Sequence, residues 1–360
     1  MNSNRSVATA LLLSAILLAS IGGQANADFT FGIPTNLGPP VNSEAGDASV
    51  AISSDGLEMY LVSERPGGQG QADLCVATRA TTEDEWGTPV NLGPTVNSPD
   101  WDSEPAISAD GLSLYFDSGR PGGLGEEDIY VTTRPTKNDP WGTPVNLGPP
   151  INSSAWDSEP FITADGLSLY FDSTRPGGYG ESDVYMSTRL SKEDPWGEPV
   201  NLGPIVNSPG WEGCANLSSD ERVLFIFGFS REGMVGPVDI WMATRPTKND
   251  DWTECVKLGP EVNSPAVDTN PCISADGSVL YVQSMRDGGL GDFDIWQIPI
   301  NPVVDLNADG IVDSADMIIL VDQWGTDDPL CDIGPMPWGD GIVDVQDLIV
   351  LAEHLFESLP

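Results

Sequence analysis

A repeat of about 55 residues runs through most of this 360-residue chain. Its clearest marker is a turn sequence in which an aspartate is usually followed by a glycine. The aspartate recurs in steps of 55, 55, 55 and 56 residues, at Asp55, Asp110, Asp165, Asp220 and Asp276. One such unit cannot bury its apolar surface alone, so units of this length pack against their neighbours in an array or a ring. The repeat therefore limits the fold more than any other feature of the sequence.

Each unit contains four short β-type segments separated by turn residues. In the second unit these segments are residues 105–108, 112–117, 128–133 and 141–147. Apolar alternation bounded by Gly, Pro and Asp predicts strands. Four antiparallel strands form a blade with two faces to bury, and blades packed face to face around a channel bury both. We therefore predict an all-β, five-bladed propeller over residues 28–300.

The two ends of the repeat array complement each other. The fifth unit stops after its third strand, at residues 292–300, and lacks the WGTPVNLG segment that forms the outer strand elsewhere. Residues 31–43, FGIPTNLGPPVNS, match that missing segment. We predict that the N-terminus supplies the outer strand of the fifth blade and closes the ring.

Residues 1–27 have the features of an export signal. They contain a positive charge at Arg5, an apolar stretch at residues 8–21 and the small-residue triplet ANA before Asp28. The apolar stretch is short for a membrane span, and no later stretch could cross a bilayer. We expect cleavage after Ala27 and a secreted or periplasmic protein.

The composition excludes several kinds of partner and site. Fifteen Lys and Arg against 55 Asp and Glu give a formal net charge of −40, whereas a nucleic-acid partner needs a basic surface. The single histidine, His354, lies near the C-terminus, which excludes a Ser-His-Asp triad or a His-rich metal site in the propeller. The five cysteines have no CxxC spacing, although one or two disulfides could form.

The repeat units resemble the PD40 or TolB-like family of WD40-like β-propellers. That family pairs an SPDG-type turn with an SxRPGG segment and a D-I/V-Y segment, here SADG, SGRPGG and DIY in the second unit. The resemblance covers about residues 30–300. It implies a propeller that binds a protein, peptide or glycan and often lacks catalytic activity.

Two sets of charged residues recur in every unit. One is a carboxylate in the loop that leads from each outer strand to the next inner strand, at Asp47, Asp102, Asp157, Glu212 and Asp268. These acids could together hold a hard cation, or each could cap a turn or pair within the scaffold. The other is an arginine eight residues before an aspartate, at Arg65, Arg120, Arg175, Arg231 and Arg286. We interpret the Arg–Asp repeat as a structural clamp.

A binding site is expected where the blades differ, because a ligand does not share their symmetry. Trp101, Trp156 and Trp211 precede the repeated acid in three units only. They could form an aromatic platform for a sugar or a partner, or wedge between blades. Glu104 and Glu159 are another pair, and paired carboxylates are what a glycoside hydrolase needs. No third carboxylate specific to one blade stands out.

After Pro302 the repeat ends and a different module, residues 301–360, begins. Its DLNADGIVDSAD segment places oxygen ligands at positions 1, 3, 5, 7, 9 and 12 of a calcium loop, from Asp305, Asn307, Asp309, the Ile311 carbonyl, Asp313 and Asp316. A second copy, 31 residues later, places Asp340, Asp344 and Asp347 in a second loop. There, Met336 and Trp338 stand at positions 1 and 3, so the second site lacks ligands unless Asp332 reaches in. We predict Ca²⁺ binding, with the first site the more complete.

The duplicated loop and helix resemble a type I dockerin. The resemblance implies a small α-helical domain that binds a cohesin-type scaffold protein through loop positions 10 and 11, here Ser314 and Ala315, then Val345 and Gln346. The alternative is a calcium-stabilised terminal domain without such a partner. Our leading hypothesis is a secreted, non-catalytic protein whose propeller binds a glycan or protein and whose tail docks it to a scaffold. The alternative is a polysaccharide-active glycoside hydrolase that uses Glu104 and Glu159.

Overall fold

A computed structural model describes residues 29–307, 310–328, 330–334, 339 and 341–356. The expected export signal, residues 1–27, lies outside these. The described chain begins with β1 (Phe29–Phe31) and β2 (Thr35–Asn36), and five blades follow. Blade 1 consists of β3 (Asp47–Ile52), β4 (Glu58–Ser63), β5 (Asp73–Thr78) and β6 (Val90–Asn91). Blade 2 consists of β7 (Asp102–Ile107), β8 (Ser113–Ser118), β9 (Asp128–Thr133) and β10 (Val145–Asn146).

The remaining blades repeat this plan, each with antiparallel strands in sequence order from the channel outwards. Blade 3 consists of β11 (Asp157–Ile162), β12 (Ser168–Ser173), β13 (Asp183–Thr188) and β14 (Val200–Asn201). Blade 4 consists of β15 (Trp211–Leu217), β16 (Val223–Phe229), β17 (Val238–Thr244) and β18 (Val256–Lys257). Blade 5 consists of β19 (Asp268–Ile273), β20 (Val279–Ser284) and β21 (Asp294–Pro302), completed by the N-terminal strands. The predicted five-bladed, all-β propeller is confirmed.

The observed strands differ from the predicted ones at the inner and outer positions of the blade. The third strand of blade 2 has the predicted bounds, but the inner strand begins at Asp102 rather than residue 105. The outer strand has only two paired residues, Val145 and Asn146. Prolines at 144 and 149 flank it and carry no N–H to extend the ladder. Trp141, predicted within this strand, instead lies under the guanidinium of Arg134 at 4.4 Å.

The N-terminus closes the ring as predicted. In β2, Thr35 and Asn36 pair with Gln297 and Trp296 of β21. The segment β1, which the sequence did not predict as a strand, pairs with the C-terminal end of the same strand. Two short N-terminal strands therefore hold β21 along its length.

The ring has an upper and a lower face. The lower face carries the Asp-Gly turns between first and second strands and the connections between third and fourth strands. The upper face carries the loops between second and third strands and the connections from each blade to the next. Apolar side chains fill the space between neighbouring blades; one core cluster joins Tyr115 and Ile129 of blade 2 to Leu169 and Phe171 of blade 3.

The repeated acids and arginines form a buried clamp in each blade. In blade 3, Asp157 is fully buried and accepts hydrogen bonds from Ser173 Oγ at 2.6 Å and from Arg175 Nη2 at 2.6 Å. Its other oxygen accepts the backbone N–H of Ser153 at 2.6 Å. Equivalent ion pairs, with N···O distances from 2.5 to 3.7 Å, join Arg65–Asp47, Arg120–Asp102, Arg231–Glu212 and Arg286–Asp268. Each acid is thus bound within the scaffold, which supports the structural interpretation.

The sequence predicted the wrong partner for these arginines. Each pairs with the acid that precedes it rather than with the aspartate eight residues later. That later aspartate shapes the glycine-rich loop instead, as Asp183 does by accepting the backbone N–H groups of Tyr179 at 2.5 Å and Gly180 at 3.0 Å. The distance along the sequence did not show which of the two acids each arginine contacts.

Two short helices follow the propeller, α1 (Ser314–Asp322) and α2 (Val345–Glu353). In the propeller, Cys75, Cys214, Cys255 and Cys272 form no disulfide. Among the described residues, no helix has the length and apolar character needed to cross a membrane.

Loss of one clamp should destabilise the propeller strongly. Arg175→Ala leaves the buried Asp157 carboxylate without its counter-charge, and we expect a loss of about 3 kcal/mol in the free energy of unfolding. Urea unfolding followed by fluorescence measures it. The control is Lys192→Ala, which removes an exposed ion pair and should cost about 1 kcal/mol or less. Equal effects of the two substitutions would contradict the clamp.

Candidate functional site

The innermost strand of every blade carries a bulge just inside the upper face. At this bulge a residue other than glycine has a positive φ, between 44° and 53°, at Ser49, Glu104, Glu159, Cys214 and Asn270. The ladder to the second strand shifts register at the same place. Such a bulge re-aims a side chain and costs backbone strain. It turns these five side chains into the channel, where they line a cavity of about 70 Å³.

Glu104 links three blades across the channel. Its carboxylate accepts hydrogen bonds from Ser49 Oγ of blade 1 at 2.7 Å and from Asn270 Nδ2 of blade 5 at 2.8 and 2.9 Å. Burial, and after it the charge of Asp117, raise the pKa of Glu104 to about 8 despite these bonds. The fold thus holds this carboxyl in a place that favours its neutral form.

Glu159, the equivalent residue of blade 3, is held differently. Its Oε2 is buried without a hydrogen-bond partner. The atom lies against Gly213 of blade 4, where a Cβ would come within 2.2 Å of it. Burial and the charge of Asp172 raise the pKa of Glu159 well above its ordinary value. The absence of a side chain at Gly213 leaves room for this carboxyl.

Three further acids belong to this cluster and were missed by the sequence analysis. Asp117 and Asp172 are buried in the second strands of blades 2 and 3, and Glu127 shares a hydrogen bond with Asp117. Burial raises the pKa of Asp117 and brings that of Asp172 to about 7, while burial and Asp117 bring that of Glu127 to about 9.

A comparison of equivalent positions would have revealed these three acids. Asp117 and Asp172 correspond to Val62, Phe227 and Gln283 in the other blades. Glu127 corresponds to Ala72, Ser182, Val238 and Phe293. The expectation that no carboxylate is specific to one blade was therefore wrong, since Glu127 is found only in blade 2. We call Glu104, Asp117, Glu127, Glu159 and Asp172 the acid cluster.

The acid cluster differs from a glycosidase centre in its pKa pattern and in the size of its cavity. Such a centre needs two carboxyls whose environments push their pKa values apart, whereas all five pKa values here are raised. Small-molecule sites occupy roughly 300–1,000 Å³, and the cavity of about 70 Å³ has room for a few water molecules. Catalysis by Glu104 and Glu159 is not favoured by this arrangement.

The acid cluster should make the stability of the propeller depend on pH. A carboxyl with a raised pKa binds its proton more tightly in the folded chain than in the unfolded one, so its contribution is complete at low pH and lost as pH rises through the folded pKa. We expect the melting temperature to fall between roughly pH 5 and pH 9. Glu104→Gln, which mimics the neutral carboxyl, should weaken this dependence. Thermal unfolding across pH tests it with the exposed Glu193→Gln as control; an equal pH profile for both variants would contradict the assignment.

The three predicted tryptophans lie at the upper face, where each immediately precedes or begins an inner strand. Trp101 is 41% exposed. Trp156 and Trp211 are half-buried and meet edge to face, with ring centroids 6.2 Å apart. This pair bridges blades 3 and 4, as the wedge interpretation expected, while Trp101 remains open to solvent.

A groove of about 590 Å³ lies between blades 3 and 4 at the upper face. Its wall includes the exposed side chains of Tyr179 and Ile205 and the buried ring of Trp241. Trp241 is 8% exposed, and its Nε1–H has no hydrogen-bond partner. Arg231, Glu232 and Glu254 add polar groups to the lining. We call this the blade 3–4 groove.

The groove forms where blade 4 departs from the repeat. Its loop reads SREGMVG rather than SxRPGG, and Gly228 stands where blade 3 has Ser173. Without that hydroxyl the clamp loosens, and Arg231 lies 3.7 Å from Glu212 compared with 2.6 Å for Arg175 and Asp157. The sequence showed the departure but not that it opens a groove.

In the tail, each helix begins at one of the predicted loops. Asp313 and Asp344 are the N-caps of α1 and α2, and each forms a capping box with the aspartate three residues later, Asp316 or Asp347. In the first loop, Asp305 Oδ2 accepts the N–H of Gly310 at 2.8 Å, and Asp316 Oδ1 accepts that of Asn307 at 3.1 Å. The backbone of the first loop therefore folds around the carboxylates of Asp305 and Asp316.

The second loop repeats these contacts with a different first residue from the one aligned by sequence. Asp332 Oδ2 accepts the N–H of Gly341 at 2.7 Å, as Asp305 does from Gly310. Asp347 Oδ1 accepts the N–H of Gly334 at 2.7 Å, as Asp316 does from Asn307. Asp332 and Gly334 therefore take positions 1 and 3. Met336 and Trp338, which the sequence placed there, lie outside the described residues.

The residues of these loops are of the types that bind a hard cation. Carboxylate and carbonyl oxygens are the ligands that Ca²⁺ prefers, and the contacts of the two loops are alike. Asp309 and Asp340, one predicted ligand of each loop, lie outside the described residues. Within the described part of the chain, no three His, Cys, Asp or Glu side chains are grouped closely enough to hold a metal ion.

The predicted docking residues lie in the first turns of the helices. Ser314 and Val345 are exposed, and Ala315 is half-buried and donates its N–H to Asp313 Oδ1 at 2.7 Å. One turn further, the equivalent Ile318 and Ile349 are 61% and 53% exposed. The duplicated helices thus carry similar exposed apolar side chains.

No protein-family model matches this chain, and no curated protein matches it. Solved structures with a similar fold include an RGII complex of BT0996, with a TM-score of 0.53, 12% identity and coverage of 77% of this protein and 92% of that one. Another, described as a glycoside hydrolase, has a TM-score of 0.51, 12% identity and coverage of 76% and 91%. TolB from Acinetobacter baumannii is similar at a TM-score of 0.42 and 15% identity, over 75% of this protein and 63% of that one. These likenesses concern the propeller fold, and the TolB score supports nothing further.

Proposed function

We propose that this chain is a secreted, non-catalytic binding protein whose propeller binds a neutral glycan in the blade 3–4 groove. The observation that carries the proposal is the groove of about 590 Å³, which is large enough for a ligand and has the exposed ring of Tyr179 in its wall. An exposed aromatic ring offers a ligand a large apolar contact surface.

The remaining lining of the groove supports a sugar as the ligand. The apolar face of a sugar ring packs on an aromatic side chain such as Tyr179, which is 53% exposed. Sugar hydroxyls can donate to the carboxylates of Glu232 and Glu254. The formal net charge of −40 disfavours an acidic glycan. The two similar propellers described as an RGII complex and a glycoside hydrolase suggest the same ligand class, although their likeness concerns the fold alone.

Affinity electrophoresis of the full chain through gels containing xylan, arabinan, galactomannan or mixed-linkage glucan tests this proposal. At least one polysaccharide should retard the protein, and Tyr179→Ala should weaken that binding about tenfold, or ~1.4 kcal/mol. Trp241→Phe, which replaces the indole in the groove wall with a smaller ring that has no N–H, should also weaken it. The matched control is Trp296→Phe, because Trp296 is the equivalent residue of blade 5 and its Nε1 also has no partner.

Two results would contradict glycan binding at this groove: no retardation by any polysaccharide, or equal retardation of Tyr179→Ala and the unchanged protein. Release of reducing sugar that Glu104→Gln or Glu159→Gln abolishes would instead support the glycoside hydrolase alternative.

For the tail, we propose that both loops bind Ca²⁺ and that the module docks to a cohesin-type partner. Asp305, Asn307, the Ile311 carbonyl, Asp313 and Asp316 would hold the first ion with Asp309. Asp332, Asp344 and Asp347 would hold the second with Asp340. Bound Ca²⁺ would neutralise the carboxylates and hold each loop against its helix. Ser314, Ala315 and the exposed Ile318 and Ile349 support docking through the helix faces.

Calorimetric titration of the full chain with Ca²⁺ should reveal two sites. We expect Asp305→Ala to remove one and Asp332→Ala to remove the other, because each takes away a carboxylate at loop position 1. Asp322→Ala, at the end of α1 and outside both loops, is the control. Two unchanged sites in Asp332→Ala would contradict the role given to this residue.

A further inference from the structure

Lysine side chains connect neighbouring blades at the lower face of the ring. Lys137 of blade 2 contacts Asp55 of blade 1 at 2.6 Å, and Lys192 of blade 3 contacts Asp110 of blade 2 at 2.9 Å. At the next junction Lys248 lies 3.6 Å from Asp165. In each case the lysine Nζ is closest to Oδ2 of the turn aspartate. The chain has four lysines, so three of them make this contact.

The junction between blades 5 and 1 has the aspartate but not the lysine. Asp276 occupies the turn of blade 5, and Thr82 of blade 1 stands 55 residues before Lys137. The two side chains occupy equivalent places. A Cβ added at Gly56 would lie closest to Thr82, and a Cβ added at Gly111 of the next blade would lie closest to Lys137. Threonine is too short to reach the neighbouring turn. Among the described residues, Asp276 makes no ion pair.

A groove of about 420 Å³ lies at this junction. Its lining includes Asp276, Thr82, Arg79, Tyr281 and Gln297. Its volume falls within the range of small-molecule sites, roughly 300–1,000 Å³. The missing lysine side chain thus coincides with an open space at the ring closure.

The surroundings of Asp276 favour the ionised form of its carboxyl, which can accept a cation. Burial opposes its ionisation, but hydrogen bonds from Ser274 Oγ at 2.6 Å and from Ser278 N and Oγ at 3.1 and 2.8 Å outweigh burial and lower its pKa. All three bonds are made to Oδ1, whereas the lysines at the other junctions approach Oδ2. Arg79, the basic residue of the groove, donates to the Gly56 carbonyl at 2.7 Å and stacks on Trp86.

We propose that the groove between blades 5 and 1 binds a primary ammonium group on an aliphatic stem, which takes the place that lysine fills at three of the other four junctions. Such a group belongs to a lysine side chain of a partner protein or to a small alkylamine. The formal net charge of −40 attracts either one to the surface. Because an exposed ion pair alone is weak, the groove walls must hold the stem.

Saturation-transfer NMR with the full chain tests this site, with n-butylammonium chloride and an acetylated, amidated Gly-Lys-Gly peptide as probes. Both should give saturable signals at constant ionic strength, while tetramethylammonium, which has no N–H donor, should not. Asp276→Asn should abolish the signals. Thr82→Lys should also abolish them by filling the groove, and its melting temperature should equal or exceed that of the unchanged protein.

The double variant Thr82→Lys/Lys192→Thr moves the vacancy to the junction between blades 2 and 3, and we expect it to restore amine binding. Tighter binding of the peptide than of the free amine would identify lysine in a protein as the source, and equal binding a small amine. Binding that survives Thr82→Lys, or that tetramethylammonium shares, would overturn the proposal. These outcomes are independent of glycan binding, since the blade 3–4 groove is on the opposite face.

Discussion

The buried ion pair between an acid and an arginine is the interaction on which each blade depends. The acid lies at the start of the innermost strand. It accepts a hydrogen bond from a backbone N–H of the connection before the strand and, in four blades, another from a serine hydroxyl of the second strand. It thereby ties the entry of the chain to the loop that carries the arginine. A carboxylate removed from water needs both a counter-charge and hydrogen bonds, and the clamp supplies both. Glycine-rich loops have many accessible conformations, and these contacts hold each loop in one of them.

The clamp also explains why the candidate ligand sites lie where the repeat is broken. Where all its parts are present, the upper face is closed by contacts within the protein. In blade 4 the hydroxyl is absent, the ion pair lengthens to 3.7 Å, and a groove opens between blades 3 and 4. At the lower face the missing lysine has a similar effect between blades 5 and 1. In both places a departure from the consensus removes an internal contact and coincides with a groove.

The acid cluster illustrates a different use of asymmetry. Five carboxyls meet near the channel in blades 2 and 3, and all have raised pKa values because burial outweighs their hydrogen bonds. Glu104 ties blade 2 to blades 1 and 5, so a neutral carboxyl there joins parts of the ring that are distant in sequence. A strongly acidic chain thus holds some of its carboxyls near the channel in places that favour their neutral form.

The sequence alone determined the number of blades, the order of strands and the way the ring closes, because each follows from a period of 55 residues and from matching ends. It also indicated the candidate ligands of the first predicted calcium loop, since these residues lie close together in the sequence. The partner of each arginine, the bulge that turns Glu104 and Glu159 into the channel, and the part of Asp332 in the second loop were decided by tertiary structure. Each depends on residues brought together from different strands, blades or loop ends. Sequence spacing gives no distance between such groups once the chain turns back on itself.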